Sequence, residues 1–348
     1  MIPYVLEEWA ELRTLNTFGV AARTRWLATL HSAGAIGELL ARPEFQGLPV
    51  MALGEGSNLL LAADWPGLML RFASSRIEVL QEDADSGLLR VEAGVNWDAL
   101  VDWSLEHGLA GLENLALIPG LAGAAPIQNI GAYGVEISEF IEGVETWNRE
   151  QRLFERLDRD GCLFGYRDSV FKRRPQRWLV TAVELRLPRR HAPRTGYAGI
   201  AEELAAMDVE QPGPREVAEA VRRLRRRKLP DPRAIGNAGS FFKNPVVPAE
   251  QAGALRTELP TLPVFATADP GARKISAAAL IEACGWRGFR EGDAGVSAQH
   301  ALVVVNHGRA TGAELLALAR RVADSVRERF DVALEPEPRI VGASFEGS

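Results

Sequence analysis

The chain has 348 residues, of which 47% are hydrophobic and 25% are charged, and its formal net charge at pH 7 is −6. These proportions are those of a globular protein and exclude a chain that is disordered throughout. The length predicts two or three domains. The negative charge argues against a nucleic-acid partner, because binding a polyanion requires clustered positive charge.

The cysteines and the first residues indicate the cellular compartment in which the protein is expected. Cys162 and Cys284 are far apart in sequence and lack metal-ligand spacing, which fits a reducing compartment where disulfides are not needed. Glu7, Glu8 and Glu11 stand where a signal peptide would have a basic start and an apolar core. No apolar run approaches the length of a membrane span. We therefore expect a cytoplasmic protein without a membrane partner. We also expect a monomer, although none of these features bears on the oligomeric state.

The first third of the chain alternates predicted strands and helices. The predicted strands are residues 50–53, 59–61, 77–80 and 89–91. A glycine loop at 54–58 joins the first two strands, and a turn at 83–87 joins the second two. A helix then begins at Asn96 as N-cap and ends at Gly108. Its predicted buried stripe consists of Trp97, Leu100, Val101 and Leu105.

The middle of the chain has two further strand signals, at 143–147 and 181–187. Between Pro188 and Pro214 the sequence has little periodicity, which we interpret as an insert and a domain boundary. The elements on both sides mix strands and helices without an internal repeat. The sequence therefore predicts the α+β class.

Two helices are predicted in the last third of the chain. The first ends at Pro230, and we place its arginines from Arg222 to Arg227 mostly on the exposed surface. The second begins with a capping box formed by Thr311 and Glu314 and ends at Phe330. Their predicted buried residues are Val217, Val221, Leu224, Leu315, Leu318, Val322 and Val326.

The glycine loop has the chemistry of a phosphate site. Gly54 and Gly56 allow backbone N–H groups to converge on an anion, and Ser57 and Asn58 add further donors. A tight turn between strands explains this loop equally well. The glycine spacing is neither the G-x-G-x-x-G of classical dinucleotide folds nor that of a P-loop, so neither fold is supported.

A second glycine-rich stretch, residues 118–134, contains almost no charge. Its glycines are Gly120, Gly123, Gly131 and Gly134. Such a backbone suits close wrapping around a flat, largely apolar ligand such as an isoalloxazine ring. A buried crossing between two subdomains is the structural alternative. One extended dinucleotide cofactor would use both stretches, the first for its pyrophosphate and the second for its ring.

Six segments together carry a family resemblance. They are LGEGSNLL from Leu53, GLENLALIPGLAGAAPIQNIGAYG from Gly111, FGYRDSVFK from Phe164, KLPDP from Lys228, GNAGSFFKNP from Gly236 and LEPEPRIVGAS from Leu334. With these segments the chain resembles the UDP-N-acetylenolpyruvoylglucosamine reductase family over nearly its whole length. The segment 195–199, TGYAG, resembles the tyrosine loop of the family's type I form.

The resemblance implies an FAD-binding fold of the vanillyl-alcohol-oxidase type with a smaller C-terminal substrate domain. It implies an FAD-binding domain of two α+β subdomains at 1–190, the tyrosine loop and linker at 191–213, and a substrate-binding domain at 214–348 whose last strand returns toward the FAD domain. The implied reaction is NADPH-dependent reduction of UDP-N-acetylglucosamine enolpyruvate to UDP-N-acetylmuramate through FAD, in peptidoglycan precursor synthesis. Because residues 54–58 contain no histidine or cysteine, we expect noncovalent FAD.

The resemblance also implies roles for individual residues. The catalytic residues are Arg167 beside the substrate carboxylate, Ser240 as proton donor and Glu337 as an acid near that carboxylate. The substrate-binding residues are Tyr133, Tyr197, Lys228 and Asn244. The cofactor-binding residues are Gly54, Glu55, Gly56, Ser57, Asn58, Pro119, Gly120, Gly123, Ala124, Ile130 and Gly131.

Four of these residues have a structural alternative. Arg167 could pair with Asp168 in a turn, Ser240 could be a turn hydroxyl, and Lys228 and Glu337 could be solvated surface charges. The five histidines have no metal-ligand spacing, so we expect no metal.

Two other functions compete with the reductase. A flavin oxidase or dehydrogenase of another alcohol or sugar would keep the fold. A non-catalytic nucleotide-sugar sensor would keep the binding surface, but it would not need all three of Arg167, Ser240 and Glu337.

Overall fold

The computed structural model describes residues 3–346, which divide into two compact units. Unit 1 consists of the residues up to Ala10, Thr24–Glu55 and Pro66–Arg227. Unit 2 consists of Glu11–Arg23, Gly56–Trp65 and the residues from Lys228 onward. Each unit is therefore built from segments that are separated in sequence.

The strands are β1 Tyr4–Glu11, β2 Arg23–Leu30, β3 Val50–Ala52, β4 Leu59–Leu61, β5 Trp65–Phe72, β6 Ile77–Glu82, β7 Ser86–Glu92, β8 Gly131–Ala132, β9 Val135–Glu136, β10 Ile141–Asn148, β11 Leu153–Asp158, β12 Trp178–Pro188, β13 Gly236–Asn237, β14 Val246–Pro248, β15 Val264–Ala266, β16 Ala272–Ile275, β17 Arg290–Glu291, β18 Ala294–Val296, β19 Val304–Asn306 and β20 Arg339–Val341. The helices are α1 Ile36–Ala41, α2 Trp97–Glu106, α3 Val170–Arg173, α4 Ile200–Ala206, α5 Pro214–Lys228, α6 Ala249–Glu258, α7 Ala277–Ala283 and α8 Gly312–Phe330.

The main sheet of unit 1 is antiparallel, with the strand order β11-β10-β12-β7-β6. The strand β12 is buried along most of its length. The predicted strand pair at 77–91 is confirmed as β6 and β7, and Asp83 Oδ1 accepts from the backbone of Asp85 and Ser86 in the turn between them. This carboxylate satisfies two donors at once, which fixes the reversal of the chain.

Helix α2 confirms the predicted capping. Asn96 Oδ1 accepts a hydrogen bond of 3.0 Å from Ala99 N, and the predicted apolar stripe is buried. Trp97 also donates from Nε1 to Leu115 O at 2.9 Å. The helix is thereby attached to the segment that directly precedes the second glycine-rich stretch.

Unit 1 has a second sheet with the order β1-β2-β5-β3, in which β3 and β5 run parallel. Its core includes Leu30, Ile36, Leu39 and Leu68, each fully buried. The C-terminal end of β3 leads into the glycine loop, and Leu53 N extends the pairing by donating to Leu70 O at 2.7 Å. The parallel pairing therefore fixes where the glycine loop begins.

The segment between Pro188 and Pro214 contains a helix that the sequence analysis did not predict. Ile200 and Leu204 of α4 are buried in the same core as Val217 and Val221 of α5. The apolar positions of α4 span only two turns, too few for a periodic signal. The position where a substrate-binding domain begins stays a prediction.

Unit 2 contains one sheet with the order β13-β19-β18-β17 and another with the order β14-β16-β15. The strand β20 pairs with β4 in parallel, so Leu59 lies opposite Arg339. The capping box of α8 is confirmed, because Thr311 and Glu314 exchange hydrogen bonds between side chain and backbone. Within residues 3–346, no helix has both the length and the apolar character of a membrane span.

Candidate active site

The glycine loop begins with two residues of unit 1, Gly54 and Glu55. The Glu55 carboxylate accepts hydrogen bonds from Asn96 Nδ2 at 2.8 Å and from Gly120 N at 3.0 Å. One side chain therefore joins the glycine loop, the N-cap of α2 and the second glycine-rich stretch. This arrangement brings together the two stretches that we predicted to hold one cofactor.

The rest of the loop, Gly56, Ser57 and Asn58, belongs to unit 2. Gly56 has φ +64°, and a Cβ there would lie 2.2 Å from Leu15 O, so only glycine fits. Asn58 Nδ2 donates to Glu337 O at 3.2 Å, and Asn58 O accepts from Arg339 N at 3.0 Å. These bonds connect the last loop residue to the backbone of a predicted catalytic acid.

The second glycine-rich stretch packs closely on β7 and its continuation. Gly123 N donates to Ala93 O at 3.0 Å, and a Cβ on Gly123 would lie 2.5 Å from Ala93 Cβ. Among its predicted cofactor residues, Gly120, Gly123 and Ile130 are buried, Gly131 is half-buried, and Pro119 and Ala124 are exposed. The stretch is therefore mostly packed, with Pro119 and Ala124 as its exposed members.

Arg167 occupies a tight turn. Gly165 and Asp168 exchange backbone hydrogen bonds of 3.0 and 3.1 Å around it, and Arg167 has φ +54°. Its guanidinium donates to Gly131 O at 2.7 Å, and its own carbonyl accepts from Lys172 Nζ at 3.0 Å. A left-handed backbone at a residue with a side chain costs about 1–2 kcal/mol, so these contacts must hold it in place.

The structural alternative for Arg167 was an ion pair with Asp168 in this turn. Its carboxylate forms an ion pair of 2.7 Å with Arg173, the last residue of α3. The guanidinium of Arg167 extends toward the second glycine-rich stretch, where Gly131 accepts its hydrogen bond. Arg167 therefore places a positive charge beside a predicted cofactor residue.

The two predicted substrate tyrosines of unit 1 lie against each other. The rings of Tyr133 and Tyr197 meet edge to face, with centroids 5.3 Å apart. Burial raises the pKa of Tyr133, and the positive charges of Arg225 and Arg227 oppose that rise. Tyr133 has φ +49°, another left-handed residue with a side chain. Phenol groups flanked by arginines make a surface that can bind an anion.

Our placement of the α5 arginines on the surface is wrong for two of them. Arg222 is only 12% exposed and pairs with Asp98 and Asp102 at 2.9 and 2.6 Å. Arg225 donates from Nε to Leu117 O at 3.1 Å, and burial lowers its pKa. Arg225 follows the buried Val221 by four positions, which puts both on the same side of the helix. That spacing was the signal that the sequence analysis missed.

In unit 2, Ser240 and Glu337 lie on paired segments. Glu337 N donates to Phe241 O at 2.8 Å, and Phe242 forms a bridge with Pro336. Phe241 N donates in turn to Leu302 O at 2.7 Å. The residue that follows Ser240 is thus bonded on both sides, which leaves little freedom for the serine backbone. The backbone segments of these two residues are therefore paired, while their catalytic roles stay predictions.

Lys228 and Asn244 are the predicted substrate residues of unit 2. Lys228 is exposed at the end of α5. Burial lowers the pKa of His300, and the positive charge of Lys228 lowers it further. Asn244 Oδ1 accepts from Ala277 N at 3.0 Å at the start of α7. Because its oxygen is used there, the amide nitrogen is the end that can donate to an anion.

The residues present fit FAD. Two backbone stretches rich in glycine are joined by Glu55, and the second is apolar enough for a flavin ring. Among the described residues, no cluster of histidine, cysteine, aspartate and glutamate suits a metal ion. Burial raises the pKa of the Cys162 thiol to about 12, so this cysteine is a poor nucleophile at neutral pH.

Comparison with known proteins identifies the family. The family model described as FAD binding domain matches residues 25–155, and that described as UDP-N-acetylenolpyruvoylglucosamine reductase, C-terminal domain, matches 231–341. The UDP-N-acetylenolpyruvoylglucosamine reductase of Xanthomonas euvesicatoria pv. vesicatoria is 57% identical over 98% of this chain and 97% of its own. The chain belongs to the UDP-N-acetylenolpyruvoylglucosamine reductase family. The enzyme of that name from Xylella fastidiosa is 54% identical over 98% of this chain and 97% of its own.

A solved structure supports the same assignment. The UDP-N-acetylenolpyruvylglucosamine reductase of Thermus caldophilus has a TM-score of 0.65 and 28% identity, over 97% of this chain and 98% of that one. The predicted family, the α+β fold of the vanillyl-alcohol-oxidase type and the FAD cofactor are thereby confirmed. The protein is an FAD-dependent oxidoreductase. The individual site residues stay predictions.

Proposed function

We propose that this reductase converts UDP-N-acetylglucosamine enolpyruvate to UDP-N-acetylmuramate with NADPH as the hydride donor, in peptidoglycan precursor synthesis. The observation that carries the proposal is the pairing of the Ser240 and Glu337 segments through the 2.8 Å bond from Glu337 N to Phe241 O. The bond pairs the backbone segments that carry these two residues, within a chain whose relatives are named for this reaction. We also propose a cytoplasmic location, monomeric protein and noncovalent FAD.

FAD, when bound, supplies the two-electron redox chemistry that amino-acid side chains lack. The protein's part is to hold it. Residues 54–58 would bind the pyrophosphate through backbone N–H groups, and the stretch from Pro119 to Gly131 would contact the ring. Glu55, which bonds to Gly120 N, would keep the two contacts in register. Within this proposal the domains are those implied by the resemblance, at 1–190, 191–213 and 214–348.

The reaction adds a hydride to the methylene carbon of the enolpyruvyl group and leaves negative charge on the neighbouring carbon and its carboxylate. We assign Arg167 the role of stabilising that charge. Charge-assisted contacts that are in place before reaction commonly contribute about 3–4 kcal/mol to catalysis. The contacts of Arg167 with Gly131 and Lys172 support the role, because they fix the guanidinium and its backbone.

The developing carbanion then takes a proton. We assign the donation to Ser240 and place Glu337 beside the substrate carboxylate. Serine is a weak acid, so the transfer depends on close placement and on the basicity of the carbanion. The hydrogen bonds that flank Phe241 support such placement, because they hold the backbone next to the serine.

The diphosphate of the substrate needs cations and donors. We assign these contacts to Tyr133, Tyr197, Lys228 and Asn244. The charges of Arg225 and Arg227 near Tyr133 support the assignment, since they favour an anion close to the tyrosine pair. Arg225 was absent from the residues selected by sequence alone, and we add it to this group.

The test separates this function from its competitors. The purified protein is reduced with NADPH without oxygen, and the yellow flavin absorbance should bleach. Addition of UDP-N-acetylglucosamine enolpyruvate should restore the absorbance with formation of UDP-N-acetylmuramate. Oxygen consumption with simple alcohols or sugars would support the oxidase. Nucleotide-sugar binding without flavin turnover would support the sensor.

A further inference from the structure

Arg194, which directly precedes the tyrosine loop at 195–199, holds this part of the chain to the rest of unit 1. The guanidinium donates from Nη1 to Gly134 O at 2.8 Å and to Glu139 Oε1 at 3.1 Å, and its Nη2 bonds to the other oxygen of Glu139. The carbonyl of Arg194 accepts from Asn114 Nδ2 at 2.9 Å. Side chain and backbone of one residue thus make separate attachments, three positions before Tyr197.

The same contacts hold the other tyrosine. Asn114 Nδ2 also donates to Tyr133 O at 3.1 Å, and the next carbonyl, that of Gly134, is the one that Arg194 bonds. Asn114 and Arg194 therefore connect the backbone at Tyr133 to the backbone that directly precedes the tyrosine loop. The edge-to-face contact of the two rings, at 5.3 Å, lies beside these bonds.

A further contact lies before the loop. His191 Nε2 is 3.5 Å from Glu113 Oε1, and the Glu113 side chain is fully buried. Its other oxygen accepts from Gly111 N at 2.6 Å. This contact fixes where the chain leaves β12, but it lies six residues from Tyr197. Arg194 is nearer and bonds directly to the segment of Tyr133.

We infer that Arg194 is a positioning residue: it holds Tyr197 against Tyr133 and so determines the affinity for the nucleotide sugar. The inference rests on the proposed role of Tyr197 in substrate binding. Tyr197 is 46% exposed, so packing alone does not fix it. When a loop is released, the binding-competent fraction falls and the apparent affinity falls in proportion.

The test compares Arg194→Ala and Arg194→Lys with the control Arg186→Ala. Arg186 is 40% exposed against 45% for Arg194, and it pairs with Glu142 at 3.0 Å away from the tyrosine loop. Amide hydrogen exchange across 195–199 reports the loop directly. We expect faster exchange in Arg194→Ala and a KM for the enolpyruvyl substrate raised about three- to tenfold. Flavin reduction by NADPH without the sugar should stay within about twofold of the parent.

Arg194→Lys should give an intermediate KM, because lysine keeps the charge and loses the forked geometry. Exchange in Arg194→Ala equal to that of the control would overturn the inference. Tyr197→Phe separates it from the proposed function. If Tyr197→Phe raises KM and Arg194→Ala does not, Arg194 does not position Tyr197, and the proposed function stands. If neither raises KM, the substrate role of Tyr197 is wrong and the inference fails with it.

Discussion

The predicted site residues of the two units are held in contrasting ways. In unit 1, Arg167 and Tyr133 have left-handed backbones at residues with side chains, and contacts from Lys172 and Asn114 secure them. In unit 2, the segments of Ser240 and Glu337 pair through ordinary backbone hydrogen bonds, and the nearest left-handed residue is a glycine, Gly239. In unit 1, side chains outside the predicted site hold the site residues in place. In unit 2, backbone hydrogen bonds between two segments do so.

The largest effect is expected at Ser240. Hydrogen bonds of the neighbouring Phe241 hold the backbone there, so a substitution by alanine removes only the hydroxyl group. Ser240→Ala should be reduced by NADPH at a nearly normal rate, because that step requires no proton from the serine. Its reoxidation by the enolpyruvyl substrate should slow by at least about a hundredfold. Stopped-flow absorbance of the flavin measures each half-reaction.

Ser240→Cys is the matched variant, and it should recover part of the rate because a thiol can donate a proton from nearly the same place. If Ser240→Ala is reoxidised as fast as the parent, the serine is structural. Glu337 then becomes the next proton donor to test.

Lys228→Ala should affect binding more than chemistry. Lys228 would bind phosphate oxygens, and loss of a charge-assisted contact costs about 1.5–3 kcal/mol, roughly ten- to a hundredfold in KM for the nucleotide sugar. Flavin reduction at saturating NADPH should hardly change. Arg226→Ala is a control, since Arg226 is likewise exposed on α5. An unchanged KM in Lys228→Ala would refute its assignment.

Lys172→Met tests whether a side chain outside the predicted site supports Arg167. The substitution removes a hydrogen bond to Arg167 O and leaves every proposed catalytic group in place. Without the 3.0 Å bond from Lys172 Nζ to Arg167 O, the left-handed turn should relax. We expect reoxidation by substrate to slow about tenfold, the effect of losing one charged hydrogen bond. Arg173→Met is the control, since the Arg173 guanidinium bonds to the Asp168 carboxylate and to Leu163 O. Equal effects of the two variants would argue against specific support of Arg167.

The smallest effect is expected at Glu55. Glu55→Gln keeps the shape, but an amide cannot accept from both Asn96 and Gly120 as the carboxylate does. The purified variant should be yellow and should lose FAD a few-fold faster on dilution, as expected for a net loss of about 1 kcal/mol. Heat or acid should release intact FAD from both forms. Flavin retained by the precipitated chain would contradict noncovalent binding.

Features that depend on neighbouring residues could be predicted from the sequence. Contacts between residues that are distant in sequence could not. The caps of α2 and α8 were predictable because Asn96 and Thr311 bond within three residues of themselves. The glycine loop was predictable from composition. The joining of that loop to Gly120 through Glu55 was not, since it spans 65 positions. The burial of Arg225 also depends on which residues α5 packs against, and sequence periodicity showed only the side of the helix.

The site residues divide in the same way. Arg167 and Ser240 came from the resemblance, because neither a lone arginine nor a lone serine has a chemical signature of its own. The left-handed backbone of Arg167 was also not readable, since the turn that imposes it is closed by Gly165 and Asp168 and supported by Lys172. Arginine is not among the residue types that favour a left-handed backbone, so its propensity gave no reason to expect that conformation.

The pairing of β4 with β20 has a consequence for synthesis on the ribosome. The strand β4 emerges early, and its partner follows about 280 residues later, since Leu59 lies opposite Arg339. At ordinary translation rates the first strand waits roughly 14–56 seconds with an unpaired edge. The β4–β20 pair therefore forms only when the last strand has left the exit tunnel. A nascent chain that stalls before that point would expose the β4 edge to chaperones or to other chains.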